Sequence, residues 1–104
     1  MSHSLQIEIC KTDRSTIVDL TGQLDHTTVL GLSKAVTNCA SLAAAEVVFD
    51  LGKVTWLDST AIGRFMIYRQ QLEKAGKKLV LSNCKGMLLD ALRLANVHKI
   101  LELR

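Results

Sequence analysis

Asp58-Ser59-Thr60-Ala61-Ile62-Gly63 follows the apolar run Val47-Val48-Phe49-Asp50-Leu51 and precedes a long amphipathic segment. A strand should give way to a helix there. Asp and Ser are strong N-caps, because their side-chain oxygens accept hydrogen bonds from first-turn amides that have no partner inside the helix. The helix is therefore predicted to begin at Ser59 or one residue to either side, with Ser59 read as its cap. Two neighbours set this stretch apart from an ordinary cap. Gly63 falls near the first turn, where Gly costs about 1 kcal/mol relative to Ala unless something must approach the backbone closely. Trp56, the single tryptophan, is placed by the pattern in the connection just before Ser59.

Downstream, Ala61, Phe65, Tyr68, Leu72 and Ala75 recur in heptad-like steps, the stripe of a helix packed on a sheet, and Gly76 is its expected end. At about 100° per residue, Ser59 lies off that stripe and close in angle to Ile62, Gly63 and Met66. The serine is expected beside the border of the buried face, reachable from outside.

Upstream, Leu5, Ile7 and Ile9 alternate with polar residues, and Ile17, Val18 and Leu20 follow a polar turn, so the first two strands should form an antiparallel hairpin. Asp25, or a neighbour in His26-Thr27-Thr28, is suited to cap a first helix whose stripe is Val29, Leu32, Val36, Cys39 and Ala43. Glu46 to Leu51 reads as an interior strand buried on both faces. Lys78 to Ser82 reads as another, Leu88, Leu92 and Ala95 line a third helix with Asn96 as a left-handed terminus, and Ile100, Leu101 and Leu103 close the chain as a short strand or ordered tail. Alternating elements of this kind make a single α/β domain over 1–104, a mixed four- to five-stranded sheet with helices mainly on one face.

Composition excludes several classes. The chain has 104 residues, enough for one domain, and 48% are apolar. No apolar run reaches the roughly 18 residues of a membrane span, and Met1-Ser2-His3-Ser4 lacks the charged and apolar regions of a signal peptide, so a cytoplasmic protein without membrane insertion is expected. Cys10, Cys39 and Cys84 show no metal or disulfide spacing and are expected as reduced, mostly buried thiols; His3, His26 and His98 show no ligand spacing either, so no metal site is expected. The net charge of +3 is modest. Lys74, Lys77 and Lys78 gather where the long helix ends and complement its dipole, and a basic face interleaved with aromatics is missing, which argues against nucleic-acid binding. Hydrolase elbows, phosphate-binding loops and dinucleotide turns are absent too, and no catalytic residue or enzyme activity is expected.

The hexapeptide resembles the Asp-Ser-Ser/Thr-Gly-Leu-Gly signature of the STAS-domain anti-sigma factor antagonists, and Thr21-Gly22-Gln23-Leu24-Asp25-His26 matches that family's Gly-Glu-Leu-Asp segment. Ala61 for Gly and Ile62 for Leu are the departures. The resemblance covers essentially the whole chain and implies the STAS fold. It implies phosphorylation at Ser59 by a serine-kinase anti-sigma factor that supplies ATP and magnesium, so that this chain holds no cofactor of its own. It also implies that a PP2C-type phosphatase resets the switch and that Asp25 and Asp58 support transfer. Trp56, Thr60, Ile62, Gly63 and Met66 are the expected partner-binding residues, and the free chain is expected to be a monomer. A STAS subunit of a lipid-transport ABC complex, a stressosome-like scaffold and a small-ligand domain are the alternatives.

Overall fold

Period-two alternation converts into a sheet whose two faces are chemically distinct. The computed structural model describes residues 4–104; Met1 to His3, and with them His3 and the chain start considered above, lie outside the described residues. Strands β1 (Leu5–Lys11) and β2 (Ser15–Leu24) pair antiparallel, with Ile7 opposite Leu20 and Ile9 opposite Val18. Strand β3 (Glu46–Leu57) lies parallel to β2, β4 (Lys78–Ser82) parallel to β3, and β5 (Glu102–Leu103) parallel to β4, giving the spatial order β1-β2-β3-β4-β5. Helices α1 (Leu32–Ala40), α2 (Ser59–Lys74) and α3 (Gly86–Leu94) make the three crossovers.

In-register residues share a face of the sheet, so Val18, Phe49 and Leu81 form one row and Val47 and Leu79 another. These rows join the helix residues Leu32, Val36, Phe65, Tyr68, Leu72 and Leu92 in a single core. Phe49 meets Phe65 and Tyr68 edge-on, with ring centroids 5.6 and 6.4 Å away. The Tyr68 hydroxyl donates to the Val29 carbonyl at 2.7 Å, which satisfies its polar end inside the core. The other face carries Val48 and Val80 beneath a charged lattice in which Arg104 binds Glu46 and Glu102, Lys78 binds Glu102 and Ser15 donates to Glu46. Arg104 and Ser15 hold the Glu46 carboxyl below the usual carboxylate range, and Lys78 and Arg104 do the same for Glu102.

Several expectations need correction. Strand β3 runs on to Leu57, so Trp56 belongs to the strand rather than to a connection. Val29 sits in a short 3-10 turn before α1, while Ala43, Ala75 and Ala95 fall at or beyond helix ends and are exposed, because each helix stops before its periodic pattern does. Lys77 is not a solvated dipole partner: it is buried, and its ammonium donates to the Leu42 and Ala44 carbonyls, tying the turn after α2 to the connection before β3. Cys39 is buried and Cys84 half-buried, but Cys10 is exposed on the edge strand. Asn96 does adopt the left-handed conformation foreseen for it, at φ 58°.

Candidate functional site

The two sequence motifs lie 33 residues apart, Asp25 to Asp58, yet the parallel register of β2 and β3 makes them neighbours. Leu24 pairs with Leu57, so the residue leaving each strand is an aspartate at the same end of the sheet. The Asp58 amide donates to the Leu24 carbonyl at 3.1 Å.

Asp58, not Ser59, is the N-cap of α2. Its backbone is extended, at φ −105° and ψ 174°, and Oδ1 accepts from the Ala61 amide at 2.9 Å. Its Oδ2 accepts from the His26 amide at 3.2 Å, and the exposed His26 ring brings Nδ1 to 3.9 Å from the same oxygen. One carboxylate thus caps the helix and binds the neighbouring loop. Nothing in the residue types of the first motif singled out His26; its signal was only its place directly after Asp25.

Ser59 takes the first helical position, exposed, and its hydroxyl makes no hydrogen bond among the described residues. Thr60 and Gly63 are exposed beside it, and an added Cβ at Gly63 would meet no atom within 4 Å among the described residues beyond its chain neighbours and its own helix backbone. Ile62 and Met66 are half-buried and pack against the margin of the core. Serine hydroxyl, glycine gap and two apolar border residues therefore occupy the N-terminal half of one helix.

Asp25 is only 4% exposed. Its Oδ1 accepts from the Thr27 amide at 2.8 Å, the Thr27 hydroxyl at 2.6 Å and the Thr28 amide at 3.1 Å, while its carbonyl accepts from the Val29 amide at 2.9 Å. Asp25 shapes the loop whose next residue grips Asp58. Gly22, at φ +121°, begins that segment: any side chain there would bring a Cβ to 2.3 Å from the Ser4 carbonyl oxygen.

Trp56 is 55% exposed and faces a cleft shared with Met87, Leu88 and Ala91, so it belongs with α3 as much as with Ser59. No cluster of three or more His, Cys, Asp or Glu able to hold a metal occurs among the described residues, and no helix there is long and apolar enough to cross a membrane.

Comparison with known proteins agrees with this fold. The STAS domain model matches residues 6–104. An anti-sigma factor antagonist from Mycobacterium paratuberculosis superposes with a TM-score of 0.83 at 19% identity, covering 96% of this chain and 85% of that one. The anti-sigma factor antagonist SpoIIAA in its unphosphorylated form gives 0.70 at 17% identity, covering 97% and 87%. The phosphorylated form of SpoIIAA, a Bacillus cell fate determinant, gives 0.68 at 17%, covering 97% and 91%. At such identities the likeness is one of fold.

Proposed function

The chain belongs to the STAS domain family, and from that premise we propose that it is an anti-sigma factor antagonist switched by phosphorylation of Ser59. The observation that carries the reading is an exposed serine hydroxyl, without a hydrogen-bond partner among the described residues, at the first turn of α2, presented by an Asp58 cap that is itself held by the Asp25 loop. In the proposed step the Ser59 oxygen attacks the γ-phosphorus of ATP held by a serine-kinase anti-sigma factor. The bond to the β-phosphate breaks, ADP leaves, and the hydroxyl proton passes to a base or to water. This chain contributes placement rather than catalysis: the cap fixes the start of the helix, and Asp25 acts through the loop that grips Asp58.

The sign of the switch follows from charge. Phosphoserine adds about −1.5 to −2 at neutral pH, which a helix N-terminus accommodates, so the domain stays folded. On a docking surface the same group adds volume, a desolvation cost and repulsion from partner carboxylates, beside the charge of Asp58. Unmodified chain binds and sequesters the partner in the cytoplasm; modified chain releases it, and a PP2C-type phosphatase restores the hydroxyl. Incubation with the cognate kinase and ATP, followed by peptide mapping, tests the reading: one phosphate on Ser59 is expected, and its absence there overturns it.

A further inference from the structure

An edge strand leaves half of its backbone donors and acceptors without a sheet partner, and natural sheets blunt such edges with Pro, a bulge or a covering helix. Strand β1 carries none of these among the described residues. The chain has no Pro, the register of β1 on β2 is unbroken over all 7 residues, and among the described residues β2 is the one element against which β1 packs extensively. The hydrogen bonds at its two ends fix which groups are left over. The Gln23 amide donates to the Ser4 carbonyl at 3.2 Å and the Thr12 amide to the Ser15 carbonyl at 2.8 Å, so the even-numbered residues bond β2. Leu5, Ile7 and Ile9 turn their N–H and C=O groups outward. Their side chains lie on the helix-bearing face, where Leu5 and Ile7 border the core and Ile9 is 41% exposed.

We propose that this edge pairs antiparallel with β1 of a second copy of the chain, about a two-fold axis through Ile7, and joins the two sheets into one. Such an axis keeps the same face of both sheets uppermost, so paired residues have the same parity and few registers remain. Centring on Gln6 runs Ile9 past the start of the other strand, centring on Glu8 sets two carboxylates against each other, and centring on Ile9 sets Ile7 against Lys11. Centring on Ile7 pairs all three apolar side chains, Ile7 with Ile7 and Leu5 with Ile9. On the opposite face Gln6 then meets Glu8, an amide donor against a carboxylate. The outward groups of Leu5, Ile7 and Ile9 make about six hydrogen bonds between the copies. A strand of unrelated sequence would use the same backbone groups, but the apolar match belongs to this strand's own sequence. A contact of this size is at the low end for specific association, so the dimer depends on concentration, where a monomer was expected from the sequence. The contact goes beyond the switch and needs no phosphate on Ser59.

Sedimentation equilibrium of the unphosphorylated chain should show a reversible monomer–dimer equilibrium. Ile9→Lys, which sets a charge in the shared apolar row, should weaken it roughly tenfold or more with an unchanged circular dichroism spectrum. Cysteine crosslinking in a Cys10→Ser background reads the register, because Gln6 and Glu8 of the two copies form a non-hydrogen-bonded pair within disulfide reach. Mild oxidation of mixed Gln6→Cys and Glu8→Cys proteins should give a crosslinked heterodimer, and neither protein by itself should crosslink. A monomer at every concentration, an Ile9→Lys dimer as tight as wild type, or no crosslink in the mixture overturns the proposal. Crosslinking of Glu8→Cys by itself overturns it in favour of a register centred on Glu8.

Discussion

Replacing Asp58 and replacing Ser59 should have unequal effects on stability, although both are good capping residues by type. The Asp58 carboxylate accepts from the Ala61 amide at 2.9 Å and from the His26 amide at 3.2 Å. Loss of a cap costs about 0.5–2 kcal/mol. The His26 amide is solvent-accessible, so water replaces most of what its bond contributed. Asp58→Ala should therefore destabilise by about 1–2 kcal/mol, and at roughly 4–8 °C per kcal/mol for a domain of this size the melting temperature should fall by roughly 5–15 °C. Ser59 sits one position inside the helix with no hydrogen bond from its hydroxyl among the described residues, so Ser59→Ala should change stability by less than about 0.5 kcal/mol. Asp58→Asn keeps an acceptor and should lie close to wild type. Thermal and urea unfolding followed by circular dichroism measure all three. A Ser59→Ala loss as large as that of Asp58→Ala would refute the assignment of the cap.

Gly63→Leu should abolish binding of the anti-sigma kinase in calorimetric titration, while stability is unchanged or raised by up to about 1 kcal/mol, since among the described residues no atom beyond its chain neighbours and its own helix backbone lies within 4 Å of an added Cβ; wild-type affinity would remove Gly63 from the interface. Asp25→Ala removes the Oδ1 acceptor of the Thr27 and Thr28 amides and should lower the melting temperature and slow phosphoryl transfer to Ser59; a wild-type transfer rate in this variant would show that the loop Asp25 holds does not place Ser59 for transfer. At neutral pH a small alkylating reagent should modify the exposed Cys10 first. Burial raises the Cys39 pKa, and burial followed by the Asp50 charge pushes that of Cys84 up to about 11, so both thiols stay protonated until unfolding exposes them; peptide mapping that found Cys84 or Cys39 labelled in the folded protein would contradict this.

Where the sequence could be read and where it could not has a physical basis. The α2 stripe of Ala61, Phe65, Tyr68 and Leu72 is a local pattern that burial confirms at each position, whereas the alternation of β1 leaves Leu5 and Ile7 half-buried and Ile9 exposed on the edge strand. Helix ends were less legible, because Ala43, Ala75 and Ala95 continue the period after the backbone has stopped. The choice between Asp58 and Ser59 as cap depends on one residue of backbone conformation, which residue type does not decide. The extension of β3 to Leu57 was hidden because Gly52 and Lys53, both poor strand formers, interrupt the apolar run; β2 pairs with Lys53, Val54, Trp56 and Leu57 across two register shifts. The meeting of His26 with Asp58, and the placing of Trp56 against α3, are tertiary facts that follow from the parallel register and from no short motif.

The central claim is that the Ser59 hydroxyl is the phosphoryl acceptor. It is tested most directly by intact-mass and peptide-mapping mass spectrometry of wild-type, Ser59→Ala and Thr60→Ala proteins after incubation with the cognate kinase, ATP and magnesium. The account predicts one phosphate on wild type and on Thr60→Ala, located at Ser59, and none on Ser59→Ala. Equal incorporation in the Ser59→Ala protein would contradict it.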